Sequence, residues 1–155
     1  MTPGVVIFAR MSSKRLPGKM LKKIGKKSLI LHIIDRAKKI KNKKTLILAT
    51  SKKKSDDKLI LEAKKRNIKI FRGNLNNVVK RAYDCCKKFN LYSIVRICGD
   101  RIFLNYKDID RAVRKLQNSK KNIDLASNLL SGKIPSWKTI EIISRKALKK
   151  IMNKT

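Results

Sequence analysis

Cysteine, aromatic residues and acidic residues are all scarce in this chain of 155 residues. The three cysteines, Cys85, Cys86 and Cys98, include no Cys-x-x-Cys pair, so the sequence predicts neither a disulfide framework nor a zinc site. Aromatic residues make up 5% of the chain and hydrophobic residues 42%. We therefore expect a core built mainly from Ile, Leu and Val, and the length predicts one domain over residues 1–155.

Long apolar runs are also absent. The apolar run nearest the N-terminus extends only from Val5 to Ala9, which is too short for the core of a signal peptide. No apolar stretch of the sequence is long enough to span a bilayer. Together with cysteines that suit a reducing compartment, these absences predict a cytoplasmic protein without a membrane partner.

The scarcity of acidic residues leaves a formal net charge of +32, because 42 Lys and Arg face only 10 Asp and Glu. One interpretation is a polyanionic partner: nucleic acid, an anionic membrane or a phosphorylated substrate. The other is biased composition, which we favour because the lysines are scattered over every predicted helix and loop. A dedicated nucleic-acid protein more often concentrates Arg and aromatic residues on one surface. We therefore predict no specific nucleic-acid partner, although the positive field should attract a nucleoside triphosphate.

Short apolar strands alternate with amphipathic helices along the chain. The predicted strands are Val5–Ala9, Thr45–Thr50, Ile68–Phe71 and Tyr92–Ile97, with two further candidates at Asp124–Asn128 and Thr139–Ile143. The predicted helices run from a Ser28 cap to Ile40, from Ser55 to Arg66, over Asn77–Phe89 and Asp108–Leu116, and onward from a Ser144 cap. This alternation predicts an α/β fold: a three-layer α/β/α sandwich around a Rossmann-like, mostly parallel sheet.

Ligands of such folds bind at the carboxyl ends of the strands, so the polar segment after each strand is a candidate site. The loop from Arg10 to Lys19 follows the first strand and carries four cations, two hydroxyls and a glycine. Backbone N–H groups and cationic side chains of this kind suit a triphosphate. A solvated basic loop in a Lys-rich protein is the alternative that charge alone leaves open.

The order of residues in this loop resembles the N-terminal signature of the sugar cytidylyltransferases. The signature reads Ala9-Arg10-Met11-Ser12-Ser13-Lys14-Arg15-Leu16-Pro17-Gly18-Lys19. The group includes the CMP-Kdo and CMP-sialate synthetases, and the chain looks most similar to the spore-coat polysaccharide type. The resemblance continues in register through Gly25–Leu29, Ala49-Thr50-Ser51 with Asp56-Asp57, Phe71-Arg72-Gly73 and Val95–Asp100.

This resemblance implies a Mg²⁺-dependent enzyme that transfers CMP from CTP to a sugar acid or related sugar in surface glycan biosynthesis. It implies that Arg10, Arg15 and Lys19 are catalytic cations on the phosphates, with Lys19 the main cation for the transition state. It implies a metal-binding role for Asp100; a cap on the following helix is the structural alternative. The implied nucleotide-binding set is Ala9, Arg10, Ser12, Ser13, Arg15, Lys19, Thr50, Arg72, Arg81 and Gly99. The resemblance also allows a homodimer.

Several segments depart from the family pattern. Arg101-Ile102 follows Asp100 where the family has Cys-Pro-Leu, and the segment from Pro135 to Glu141 lacks the Gly and Asp of the family's sugar pocket. The chain also ends earlier than these enzymes do, so a C-terminal acceptor or dimerisation part is expected to be missing. Two alternatives therefore stay open: a catalytically impaired nucleotide-binding paralogue or fragment, and a basic nucleic-acid-binding module that rests on charge alone.

Overall fold

The fold is built around a six-stranded sheet and is seen in a computed structural model that describes residues 2–13, 16–129, 135 and 138–153. In chain order the strands are β1 (Gly4–Phe8), β2 (Lys23–Ile24), β3 (Lys27–Ser28), β4 (Thr45–Ser51), β5 (Lys69–Gly73), β6 (Ser93–Cys98), β7 (Leu125–Ser127) and β8 (Glu141–Ser144). The large sheet has the order β5-β4-β1-β6-β8-β7, and β2 and β3 form a separate hairpin.

The central strands of the sheet are parallel. β5, β4, β1 and β6 run in one direction, whereas β8 is antiparallel to both β6 and β7. The chain first adds β4 and β5 on one side of β1 and then places β6 on the other side. The strand order therefore reverses between β1 and β6, and a crevice opens at such a point in this class of fold. In the register, Phe8 at the end of β1 lies beside Cys98 at the end of β6.

Five helices cover both faces of the sheet: α1 (Leu29–Lys38), α2 (Asp57–Lys64), α3 (Val78–Lys88), α4 (Tyr106–Gln117) and α5 (Arg145–Met152). Because successive strand residues point to opposite faces, β1 contributes to two separate cores. Val5 and Ile7 pack with α1, α2 and α4, while Val6 and Phe8 pack with α3 and α5. The predicted three-layer sandwich is confirmed. Within the described residues, no helix combines the length and the apolar character that crossing a membrane requires.

The structure differs from the sequence prediction in two short elements and in one helix cap. The hairpin of β2 and β3, which turns at Gly25 with φ of 60°, was not predicted, and neither was the short 3₁₀ helix Lys19–Leu21. Ser28 precedes α1 without capping it through its side chain, because its hydroxyl donates to Glu62 at 2.5 Å. The predicted cap at Ser144 is confirmed, since its Oγ accepts from the Ala147 N–H at 2.9 Å.

Candidate nucleotide site

A pocket of about 400 Å³ lies at the carboxyl ends of β1 and β6, where the strand order of the sheet reverses. Three segments that are distant in sequence meet there: the loop after β1, the first turns of α3, and the end of β6. The lining residues are Phe8, Ala9, Arg10, Ser13, Lys19, Met20, Val78, Arg81, Arg96, Cys98, Gly99 and Asp100. Four of these twelve side chains are cationic and one is acidic, so the pocket is electrostatically suited to an anion.

Lys19 and Asp100 form the polar centre of the pocket. Lys19 Nζ lies 2.7 Å from Asp100 Oδ2, and the two side chains are 25% and 49% exposed. The hydrogen bond from Lys19 lowers the pKa of Asp100 more than partial burial raises it, so this carboxyl group is ionised at neutral pH. Asp100 does not cap the next helix: that role belongs to Asn105, whose side chain accepts from the Lys107 N–H.

Gly99 allows the ends of β1 and β6 to approach closely. Its N–H donates to the Phe8 carbonyl at 2.8 Å. A Cβ at position 99 would lie 2.8 Å from Ala9 Cβ and 2.9 Å from Met20 Sδ, so any larger residue would need the pocket wall to move. The motif Gly99-Asp100 thus combines the close packing of two strand ends with the carboxylate that follows them.

Arg81 brings a buried cation to the pocket from α3. The residue is only 2% exposed, and Nη1 donates to the Asn74 carbonyl at 3.0 Å while Nε has no hydrogen-bond partner in the structure. Burial, followed by the charge of Arg10, lowers the pKa of this guanidinium. No ion pair links Arg81 to any described carboxylate. The charge of Asp56 raises the pKa of Arg81, but by less than burial and Arg10 lower it, so an anion in the pocket would stabilise this buried guanidinium.

Gly73 makes room for the Arg81 side chain. A Cβ at position 73 would lie 2.8 Å from Arg81 Cγ and 2.6 Å from Phe71 Cε1. The glycine of the Phe71-Arg72-Gly73 motif is therefore explained by the path of Arg81 over the end of β5.

Arg96 lines the pocket but was missed in the sequence analysis. It lies on β6 and pairs with Glu141 of the adjacent strand β8. Burial alone would lower the pKa of Arg96, but the neighbouring Cys98, Glu141 and Asp100 together raise it. The available signal was a charged residue inside an otherwise apolar strand, since such a residue requires a partner when it is half-buried.

Three described residues of the predicted nucleotide-binding set do not line the pocket. Thr50 is buried, and its hydroxyl donates to Asp56 at 2.8 Å. Arg72 pairs with Asp57 at 2.7 Å and donates to two backbone carbonyls in a neighbouring groove. Ser12 is exposed and is not among the lining residues, and Arg15 falls outside the described residues. The structure does bring together Ala9, Arg10, Ser13, Lys19, Arg81, Gly99 and Asp100.

The donor set of the pocket can be compared with what Mg²⁺ requires. Among the described residues, no group of three or more His, Cys, Asp or Glu side chains converges on one point. Asp100 is the one carboxylate among the pocket-lining residues. Mg²⁺ is commonly bound by one or two carboxylates together with substrate phosphates and water, so an ionised, half-exposed Asp100 fits a metal that arrives with a triphosphate.

A family model and several known proteins match most of the chain. A family model described as cytidylyltransferase matches residues 5–155. An uncharacterised protein, MJ1063 of Methanocaldococcus jannaschii, is 34% identical over 129 residues, which cover 82% of this chain and 52% of that protein. The spore coat polysaccharide biosynthesis protein SpsF of Bacillus subtilis is 32% identical over 109 residues, which cover 68% of this chain and 45% of that protein. The chain thus spans about half the length of these curated relatives.

Solved structures share the fold. A cytidylyltransferase from Leptospira borgpetersenii serovar Hardjo-bovis superimposes with a TM-score of 0.94 at 30% identity, over 100% of this chain and 65% of that one. A CMP:2-keto-3-deoxy-manno-octonic acid synthetase complexed with CTP superimposes with a TM-score of 0.78 over 99% of this chain and 78% of that one. At 16% identity, the second similarity concerns the fold alone.

Proposed function

Because this chain belongs to the cytidylyltransferase family, we propose that it transfers CMP from CTP to a hydroxyl group of a sugar acid or related sugar. The observation that carries the proposal is the meeting of Lys19 with Asp100 at 2.7 Å, in a pocket that Arg10 and Arg81 also line. This pocket lies at the point where ligands bind in folds of this class. Its cations match the triphosphate of CTP in chemistry.

The reaction joins the acceptor oxygen to the α-phosphorus of CTP and breaks the bond to the bridging oxygen of the β-phosphate. The acceptor hydroxyl loses its proton, and negative charge develops on the departing pyrophosphate. Positioned cations lower the energy of that transition state, and we assign this work to Arg10 and Lys19. Lys19 already holds a carboxylate oxygen at 2.7 Å, so an incoming phosphate oxygen would exchange with a ligand of the same charge and hardness.

Asp100 is the residue that would hold Mg²⁺ in this proposal. The metal, when bound, would supply additional positive charge on the phosphate oxygens. In this arrangement the Lys19 ammonium would bind the phosphates, and the Asp100 carboxylate would bind the metal. The low pKa of Asp100 keeps the carboxylate available for either partner at neutral pH.

The acceptor class follows from the relatives rather than from the pocket. One relative is named for spore coat polysaccharide biosynthesis, and another is named as a 3-deoxy-manno-octulosonate cytidylyltransferase. A sugar acid or related sugar of a surface glycan is therefore the proposed acceptor. A cytoplasmic location belongs to the same proposal, because CTP is a cytoplasmic metabolite.

The test measures pyrophosphate release from CTP and Mg²⁺ with a panel of sugar acids, alongside calorimetric titration of the chain with CTP. We expect saturable CTP binding and acceptor-dependent release. Lys22→Ala is the matched control for Lys19→Ala, because Lys22 is exposed and lies directly after the same 3₁₀ helix. CTP binding without release would favour a paralogue that has lost catalysis. Absence of saturable CTP binding would refute the proposal.

A further inference from the structure

Asp56 is a buried carboxylate beside the pocket, and the proposed reaction gives it no role. It is 1% exposed and follows β4, immediately before α2. Oδ1 accepts from the Met11 N–H at 2.8 Å. Oδ2 accepts from the Thr50 hydroxyl at 2.8 Å and from both the N–H and the hydroxyl of Ser51, at 3.0 and 2.5 Å. These four donors replace water around a charge that would otherwise be expensive to bury.

Met11 links Asp56 to the loop after β1. Its N–H is bound by Asp56, while its carbonyl accepts from the N–H of Ser13 at 2.9 Å and of Gly18 at 3.2 Å. Gly18 then leads, with φ of 68°, into the 3₁₀ helix that begins at Lys19. Met11 thus ties the start of the loop, next to Arg10, to Gly18, the residue that directly precedes Lys19.

We propose that Asp56 is a positioning residue that holds the loop from Arg10 to Lys19 in the conformation that presents both cations to the triphosphate. This inference rests on the proposed function for its catalytic consequence. Asp56 does not line the pocket, so it acts through Met11 and touches no substrate. The hydroxyl groups of Thr50 and Ser51 donate to the Asp56 carboxylate and not to a nucleotide. This explains why the Ala49-Thr50-Ser51 motif lies away from the pocket.

A carboxylate is required at this position because all four polar groups that contact it, from Met11, Thr50 and Ser51, donate hydrogen bonds. Burial raises the pKa of Asp56, but the hydrogen bonds from Ser51, Met11 and Thr50 together lower it below its ordinary value. An amide at position 56 has only one acceptor oxygen. Its NH₂ group would have to face the N–H of either Met11 or Ser51, and neither of these backbone donors can become an acceptor. Asp56→Asn therefore preserves the size of the side chain while breaking one backbone anchor.

The test compares three substitutions. Asp56→Asn should raise KM for CTP and lower kcat, with a combined loss of about 100-fold in kcat/KM, the scale expected for misplaced catalytic groups. Thr50→Val removes a donor to the same carboxylate and leaves the Met11 link intact. Asp57→Asn changes the adjacent carboxylate, which pairs with Arg72 on the surface. Both controls should keep kcat/KM close to that of wild type, because each leaves the hydrogen bond from the Met11 N–H to Asp56 in place.

Hydrogen–deuterium exchange supplies a readout that does not depend on activity. In the Asp56→Asn variant the peptide covering residues 10–19 should exchange faster, while β1 and β6 stay protected. In the wild-type chain the Met11 amide should exchange as slowly as the amides of β1. Fast exchange of that amide, or equal kinetic losses in Asp56→Asn and Thr50→Val at matched melting temperature, would overturn the proposal. Failure of the wild type to bind CTP would refute the proposed function and leave the exchange result to decide the role of Asp56.

Discussion

We expect the substitution Lys19→Ala to impair catalysis much more than it lowers the stability of the fold. The substitution removes the ammonium that lies 2.7 Å from Asp100 Oδ2. It also releases the carboxylate, whose pKa should return toward its ordinary value because the hydrogen bond from Lys19 is the largest cause of its lowering. The pocket would keep Arg10, Arg81 and Arg96 but would lose the cation that contacts Asp100.

The expected magnitudes differ between folding and turnover. With side chains 25% and 49% exposed, the Lys19–Asp100 pair belongs to the class of exposed ion pairs, which contribute about 0.2–1 kcal/mol to stability. A loss of that size lowers the melting temperature of a domain of this length by no more than about 4 °C. Removal of a preorganised group that stabilises developing charge costs about 10²–10³-fold in kcat, or about 2.7–4 kcal/mol. Turnover should therefore suffer more than folding by about 2 kcal/mol or more.

The assay determines kcat and KM for CTP by pyrophosphate release at saturating Mg²⁺, with CTP affinity from calorimetry and thermal melting on the same samples. We expect the larger part of the loss in kcat, because the charge that Lys19 meets is greatest as pyrophosphate departs. Lys22→Ala controls for the loss of one lysine from a strongly basic chain, and it should match wild type in all three measurements.

Two results would refute this reasoning. A decrease in kcat of less than about tenfold would show that Lys19 is not the principal cation of the transition state, given the scale above. A decrease in CTP affinity with unchanged kcat would show that Lys19 binds ground state and transition state alike.

Three further predictions concern the metal, the pocket wall and acid stability. Asp100→Asn should raise the Mg²⁺ concentration needed for half-maximal activity while leaving the circular dichroism spectrum unchanged; an unaltered Mg²⁺ dependence would remove Asp100 from the metal site. Gly73→Ala should displace the Arg81 side chain, whose Cγ lies 2.8 Å from the added Cβ position, and should weaken CTP binding in titrations; wild-type affinity would contradict this. Burial raises the pKa of Asp110, but N–H donors of Lys41 and Asn42 lower it overall. Its contribution to stability is therefore complete above its ordinary pKa of about 4 and is lost as pH falls through the lower folded value, so Asp110→Asn should flatten the acid limb of a stability curve measured by urea unfolding.

Much of the fold could be predicted because the strands and helices carry their own periodicity. The run Val5–Ala9 is apolar at every position and rich in β-branched residues, as expected of a strand buried on both faces, and β1 lies inside the sheet. The predicted strand at Thr45–Thr50 is confirmed within β4, and the amphipathic helices lie on both faces as expected. The hairpin of β2 and β3 was missed because strands of two residues are too short to show any alternation.

The candidate site was predictable in part for a different reason. Parallel strands bring their carboxyl ends to one edge, so the loop after β1 and the residues after β6 had to approach each other once the strands were neighbours. The resemblance assigned Lys19 to the phosphates and Asp100 to the metal, and the structure adds that their side chains form an ion pair. The roles of these residues in catalysis stay predictions until the kinetics are measured.

Tertiary structure alone decided which polar side chains face the pocket. Thr50 and Arg72 lie at the carboxyl ends of their strands, and Gly99 lies directly after β6. Nevertheless, the Thr50 side chain contacts the buried Asp56 and the Arg72 side chain contacts Asp57. Arg81 has the sequence context of a surface helix residue, but the packing of α3 over Gly73 buries it. Local sequence specifies backbone periodicity, because that depends on neighbours one to four residues apart. The direction of a single polar side chain depends instead on which donor or acceptor the folded chain brings within about 3 Å of it, often from a distant segment.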